Sequence, residues 1–259
     1  MPRLRNIVTR GIAELSSLAR AGLPPRTGLR VLMYHSVGCR AVGDQLGLYG
    51  IAPALFTEHM NALATATGIK TVALADGFAT GAETRVAVTF DDGYRDNLHV
   101  AAPLLQQHRI PFTVFVCTGF MRAHSENFLT PAELRELASL PGVMIGSHGA
   151  THAPLTGLDN QALHEELASS KAALEDTTGR AVNAISYPHG AVDRRVRDAA
   201  AAAGYTTGAC SRFDINDVTR DPLLLCRTDI HADDSGRVFR QKLHGDWDWY
   251  KWRTRDPAQ

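Results

Sequence analysis

Residues 86–97 read VAVTFDDGYRDN, and the chain passes there from five strand-forming residues straight into two acids and a glycine. Val86 to Phe90 holds β-branched and apolar side chains with no turn residue, so it predicts a buried strand. Neighbouring residues on a strand point to opposite faces, so Asp91 and Asp92 make no natural core pair. At the strand end Gly93 lets the chain turn sharply. Both carboxylates can then face one cleft, where they repel unless a cation or a proton intervenes. The alternative is a solvated acidic turn, and the rest of the chain decides between the two.

Working outward, Arg30–Val37 predicts an apolar strand that ends near His35, and residues 38–53 a Gly-rich loop. Phe56–Ala66 predicts a helix with Thr57 at its N-cap and Gly68 ending it. Downstream come a helix at Asn97–His108 and a strand at Phe112–Thr118. Thr130-Pro131-Ala132-Glu133 then opens a helix with capping-box spacing. Strands at Val143–Ser147, Asn183–Tyr187, Tyr205–Cys210 and Leu223–Ile230 alternate with helices at Asp159–Thr177 and Asp193–Ala203, and Ser235 caps a last helix to Leu243. About seven alternations argue for parallel strands and an α/β fold, best met by a closed or nearly closed, distorted (β/α)7 barrel. No Gly-x-Gly-x-x-Gly follows the first strand, so a dinucleotide site lacks its fingerprint.

With 259 residues the chain can bury a sizeable core. Its 27 basic and 27 acidic residues balance, so no global charge argues for nucleic acid as a partner. Cys39, Cys117, Cys210 and Cys226 are scattered without a Cys-x-x-Cys, which reads as buried free thiols in a reducing compartment. No apolar run reaches transmembrane length and no secretory signal is seen, so a cytoplasmic location is expected. Residues 1–22 predict an amphipathic helix. Leu4, Ile7, Val8, Leu15 and Leu18 share a face, and Arg3, Arg5, Arg10 and Arg20 outnumber Glu14. Such a helix either lies on an anionic membrane surface, peripheral to its inner face, or packs on its own domain. Residues 22–28, GLPPRTG, read as a break.

The unusual polar residues collect where strands end: His35, then Asp91 and Asp92, then His148 and His152, then His189, then Asp229 and His231. In β/α barrels the carboxyl ends of the strands carry the catalytic groups. His148 and His152 are four apart, which on a helical turn puts both imidazoles on one side. Two His and one Asp make a common divalent-metal set with positions left open.

The motifs Thr89-Phe90-Asp91-Asp92-Gly93, Ser147-His148-Gly149-Ala150-Thr151-His152 and Tyr187-Pro188-His189-Gly190 resemble those of the polysaccharide deacetylases with a NodB-homology domain, carbohydrate esterase family 4. The resemblance spans roughly residues 30–230 and divides the chain into an N-terminal segment 1–28, a deacetylase domain 29–234 and a helix with a Trp-rich tail 235–259. It implies that Asp92, His148 and His152 hold the metal, zinc first, with cobalt, nickel or iron as alternatives. It implies Asp91 as general base, and Tyr187, Pro188 and His189 at the oxyanion and substrate, through the backbone N–H of His189. The family's third motif carries an Arg where this chain has Ser186. Arg227 and Asp229 are the candidates to brace the site in its place. Met33-Tyr34-His35-Ser36 resembles the poly-N-acetylglucosamine deacetylase branch, which makes His35 the candidate general acid, with His231 and His244 behind it.

These parts suit hydrolysis of an N-acetyl group on an amino sugar of a poly- or oligosaccharide. The metal acidifies water, Asp91 takes a proton, and a His protonates the departing amine. An O-acetyl esterase or deformylase would use the same parts, and a glycan-binding pseudoenzyme is the reading of another class. No Gly-x-Ser-x-Gly elbow occurs to support a serine route. The tail from Gly245 to Arg253 holds all three tryptophans, which either meet sugar rings or membrane, or cover the barrel edge. Tail and N-terminal helix together would make a lipid-linked glycan the expected substrate.

Overall fold

The computed structural model describes residues 2–20, 22, 23, 26–77, 83–123 and 125–257, with side chains from residue 9 onward. Leu4, Ile7 and Val8 as face residues, and the Pro24-Pro25 break, lie outside what it describes. Seven parallel strands form the main path: β1 Gly28–Tyr34, β2 Thr84–Phe90, β3 Phe112–Val116, β4 Val143–Ser147, β5 Ala184–Ser186, β6 Thr207–Ala209 and β7 Thr228–Asp229. They lie side by side in the order β7-β1-β2-β3-β4-β5-β6, and a further strand, Ile69–Thr71, pairs with the start of β2. Sequential order in an all-parallel sheet is the arrangement expected of a curled β/α sheet. One irregular segment joins its two edges: Leu225 bridges Ala209 of β6, and Thr228 pairs with Leu32 of β1.

That segment departs from the strand expected over Leu223–Ile230. Pro222 offers no N–H and Asp221 accepts from Leu223 N, so Pro222–Leu224 turns as a short 3-10 helix. Only Thr228–Asp229 remains as strand.

The helices are α1 Pro2–Ala19, α2 Pro53–Ala64, α3 Ala102–Gln107, α4 Thr118–Arg122, α5 Pro131–Ser139, α6 Asn160–Thr178, α7 Arg194–Ala202 and α8 Gly236–His244. Side-chain caps start four of them where the sequence placed them. Thr130 and Glu133 form the capping box of α5, and Asp159, Asp193 and Ser235 accept from the first turns of α6, α7 and α8. Helix α2 begins earlier than expected, because Pro53 occupies its first position after Ala52. Thr57 is therefore inside the helix, where its hydroxyl donates back to Pro53 O, and is not the cap.

Strand alternation sorts the core into two layers. Leu29, Val31, Ala87, Phe115, Ala184, Ala209 and Leu225 pack together inside the curl. Leu32, Tyr34, Val86, Val88, Phe90 and Val114 point the other way, into the helical layer. The same inward alternation gives His35, Asp91 and His148 just past β1, β2 and β4, Ser186 and Asp229 at the last positions of β5 and β7, and Arg227 just before β7. One parity rule thus delivers six polar side chains to one mouth.

The two ends of the chain pack on this body. Arg30 and Asp248 are both buried and joined by two hydrogen bonds, at 2.9 and 3.1 Å, which tie β1 to the tail. Trp247 is buried with Ala13, Phe213 and Val238, whereas Trp252 is 80% exposed. Helix α1 docks through Ala13 and through pairs of Arg10 with Asp233 and Glu14 with Arg237, and Arg20 just after it pairs with Asp246. Its apolar residues Leu15 and Leu18 face outward, 68% and 73% exposed. No described helix is long and apolar enough to cross a membrane.

Candidate active site

Asp91 stands at the end of β2 and stays in the ladder, its N–H donating to Tyr34 O. Its carboxylate is buried, and Arg227 holds both oxygens, Nη1 to Oδ1 at 2.7 Å and Nη2 to Oδ2 at 2.8 Å. Ser186 completes the clasp: its hydroxyl donates to Asp91 Oδ2 at 3.1 Å and accepts from Arg227 Nη2 at 2.9 Å. A guanidinium from the closing segment thus fills the space above Ser186. Arg227 Nε donates to Cys210 O, which fixes the fork. Burial alone would raise the Asp91 carboxyl. Arg227, with smaller help from His148, holds it well below the usual carboxylate range.

Asp92 is turned out of the strand by a left-handed backbone, φ 73°, followed by Gly93 at φ 80°. A Cβ on Gly93 would press on Val116 at 3.0 Å. Among the described residues four non-glycines have positive φ, and three of them are Asp92, His152 and His189. Strain of this kind persists only where the surroundings over-determine it.

The carboxylate of Asp92 meets two imidazoles, with Oδ1 at 3.4 Å from His148 Nε2 and 3.3 Å from His152 Nε2. The Oδ1 atom is buried and has no hydrogen-bond partner. His148 Nδ1 lies 2.8 Å from Ser186 O, so this nitrogen carries the proton and Nε2 presents a lone pair. A buried orphan oxygen facing a lone pair is the donor set a divalent cation satisfies, and the three ligand atoms all lie within 4.8 Å of one another. The residues present therefore fit a metal ion. Burial lowers His148 against the pull of Asp91 and Asp92. At His152 burial also disfavours the charge, but Asp92 outweighs it and the imidazole is raised.

The link between the two histidines is not the helical turn the spacing suggested. Gly149 and His152 both have positive φ, and the loop is shaped by a residue the sequence reading missed. Glu166, buried on α6, accepts from Ala150 N at 2.7 Å and Thr151 N at 2.6 Å, and both its oxygens bond the Thr151 hydroxyl. A Cβ on Gly149 would meet Glu166 Oε1 at 2.8 Å. Glu166 sits among Glu165, Ser169 and Ser170 in an ordinary helix, so nothing local marks it.

His35 follows β1. Its ring packs on Tyr49 at 4.4 Å between centroids, and its buried Nδ1 has no partner. His231 reaches the other side of Tyr49, at 5.8 Å. Burial lowers the His231 imidazole, with Lys242 acting in the same direction. Asp229 Oδ1 is also buried without a partner, and burial raises its carboxyl. Asp229 makes no described hydrogen bond to Asp91, so of the two proposed braces only Arg227 contacts it. His189 packs on His152 at 4.5 Å, with Nε2 3.2 Å from His152 O. Tyr187 is buried, and its hydroxyl donates to Leu223 O, so only its backbone borders the mouth together with Pro188. His244 ends α8, away from the strand ends. His231, Asp233 and Asp234 form a second cluster of donors, but Lys242 already pairs with Asp234 and Arg10 with Asp233.

Comparison with known proteins adds three findings. The family model for polysaccharide deacetylases matches residues 79–208. YxkH of Bacillus subtilis, whose name places it among the polysaccharide deacetylases, is 31% identical over 216 residues, covering 82% of this chain and 74% of its own. Among solved structures, a polysaccharide deacetylase from Bacillus cereus is 27% identical with a TM-score of 0.71, over 83% of this chain and 68% of that one. The Streptococcus pyogenes deacetylase PplD in complex with acetate matches at TM-score 0.74, over 85% of this chain and 99% of that one; at 23% identity it speaks for the fold.

Proposed function

The chain belongs to the polysaccharide deacetylase family, hydrolases acting on carbon–nitrogen bonds, and on that premise we propose that it removes N-acetyl groups from amino-sugar residues of a poly- or oligosaccharide with the help of a divalent metal ion. The observation that carries this reading is the pairing of Asp91 with Arg227 beside the cluster of Asp92, His148 and His152.

Asp92, His148 and His152 would hold the ion, with zinc the first candidate. When bound, it supplies Lewis acidity, polarising a carbonyl and lowering the pKa of water from 15.7 to about 7. The rest of the chemistry falls to the protein. Arg227 keeps Asp91 ionised and fixes its plane, and Asp91 Oδ1, which accepts one hydrogen bond where Oδ2 accepts two, keeps a lone pair to accept a proton from the attacking water. The backbone N–H of His189 is assigned to the developing oxyanion. His35 is assigned to protonate the departing amine, its ring fixed by Tyr49. Assay of free amine against free hydroxyl released from one panel of acetylated oligosaccharides tests the reading. Amine release that depends on added metal supports it; hydroxyl release alone assigns an esterase.

The substrate is further proposed to be lipid-linked and met at a membrane surface. The outward face of α1 supports this, with Leu15 and Leu18 exposed while its polar side is spent in ion pairs. A cytoplasmic location on the inner face of the membrane belongs to the same proposal. Co-sedimentation with anionic vesicles tests it: Leu15→Glu with Leu18→Glu should abolish binding, and equal binding by both forms would reject it.

A further inference from the structure

Cys210 and Cys226 come together at the seam that closes the sheet. Leu225 N donates to Gly208 O at 2.7 Å and Cys210 N to Leu225 O at 2.8 Å, which is a parallel pairing centred on Ala209 and Leu225. The next residue on each side is a cysteine, so the two stand abreast on the same face of the seam. Both line a groove of about 1130 Å³ that is also walled by Arg197, Arg212 and Arg220. Arg212 Nη1 approaches Cys226 Sγ at 3.5 Å. At 1% exposure each, the thiols are open only to a small reagent entering from that groove.

The seam also holds the catalytic clasp. Cys226 directly precedes Arg227, and Cys210 O accepts from Arg227 Nε at 2.9 Å. We propose that Cys210 and Cys226 form a thiol pair oxidised by hydrogen peroxide, and that their disulfide displaces Arg227 from Asp91.

The thiols differ in the way such a pair requires. Contact with Cys226, backed by Arg220 and Arg227, lowers Cys210 below the ordinary thiol value, and Cys226 is raised in turn. Burial instead pushes Cys39 and Cys117 up to about 11, so neither competes. In the first step the Cys210 thiolate attacks a peroxide oxygen, giving a sulfenic acid and hydroxide. The Cys226 thiol then displaces the sulfenic oxygen, which leaves as water, and the S–S bond forms. In all, two thiols lose two electrons and two protons, and one hydrogen peroxide takes up both and becomes two waters.

A disulfide joins Cα atoms about 4.4–6.8 Å apart, a span that neighbouring strands about 4.8 Å apart already meet, so the bond can form across the seam. It holds its Cβ atoms about 3.8 Å apart, so two side chains that stand side by side must tilt toward each other, and the turn this demands at Cys226 passes to the adjoining Arg227. A misplacement of about 1 Å at a catalytic constellation costs up to about 100-fold in rate.

The test treats the full chain with hydrogen peroxide, blocks remaining thiols, maps peptides without reduction, and assays deacetylation before and after a thiol reductant. The expected result joins the Cys210 and Cys226 peptides, leaves Cys39 and Cys117 blocked, and lowers turnover about 10- to 100-fold, reversibly. In Cys226→Ser the oxidised Cys210 should be trapped by dimedone without a cross-link. The activity arm rests on the deacetylase reading and the mapping arm does not, so an inactive reduced protein would fault that reading alone. Unlinked peptides, prior oxidation of Cys39 or Cys117, or a cross-link with unchanged turnover would overturn the proposal.

Discussion

Replacing Arg227 with methionine removes a guanidinium that donates to both oxygens of Asp91 where neither side chain meets solvent. Methionine keeps most of the length and none of the charge. Opposite charges about 4 Å apart interact by about 4 kcal/mol at the effective dielectric of such sites, and 1.36 kcal/mol corresponds to one pH unit of titration. Loss of the two charge-assisted hydrogen bonds adds to this, so the acid limb of kcat/KM should move up by more than about three pH units in Arg227→Met as Asp91 becomes protonated in the working range. In the parent the Asp91 carboxyl lies below its unfolded value, so its contribution to stability is present above about pH 4 and is lost as pH falls through the folded value. In the variant burial prevails, the folded value exceeds the unfolded one, and the sign reverses. Stability should drop by about 3–5 kcal/mol at pH 7, and the gap to the parent should narrow as pH falls toward 4. Denaturant midpoints at pH 7 and pH 5, with a pH–rate profile, measure both effects. An unmoved acid limb together with a loss under about 1 kcal/mol would refute the reasoning.

Three further outcomes are expected. Glu166→Ala leaves the N–H groups of Ala150 and Thr151 without their partner, at about 1–3 kcal/mol each, and should lower both the melting temperature and metal occupancy, measured by calorimetry and elemental analysis. Asp248→Asn strips a buried Arg30 of its counter-charge and should cost about 3–5 kcal/mol in urea unfolding while leaving the KM for substrate unchanged. Asp92→Ala should abolish metal retention after dialysis and turnover with it, since Asp92 is the only carboxylate in contact with both imidazoles among the described residues.

Much of this is legible in the sequence, for reasons that are local. Thr130, Asp159, Asp193 and Ser235 cap helices because a short polar side chain before an amphipathic run has little else to do. His35, Asp91, His148 and Asp229 were visible as polar residues where apolar strands stop, and inward alternation then brings them to one mouth. What is harder to read depends on distant partners. Arg227 meets Asp91 across 136 residues, and the sequence offered it as a brace, beside Asp229, only because the arginine missing at Ser186 called for another cation. Glu166 was hidden for the same reason. The helical turn expected from His148 to His152 failed because Gly149 and the Glu166 carboxylate hold that loop in another shape. Likewise the strand expected from Leu223 shortened because Pro222 and Asp221 favour a turn.

The division of labour between two adjacent acids is the point on which the account turns. Asp91→Asn, purified with metal supplied, should keep its bound ion by elemental analysis while release of free amine from an acetylated oligosaccharide falls by about 100- to 10,000-fold. An asparagine variant that sheds its ion along with its activity, or one that keeps the parent's turnover, would contradict it.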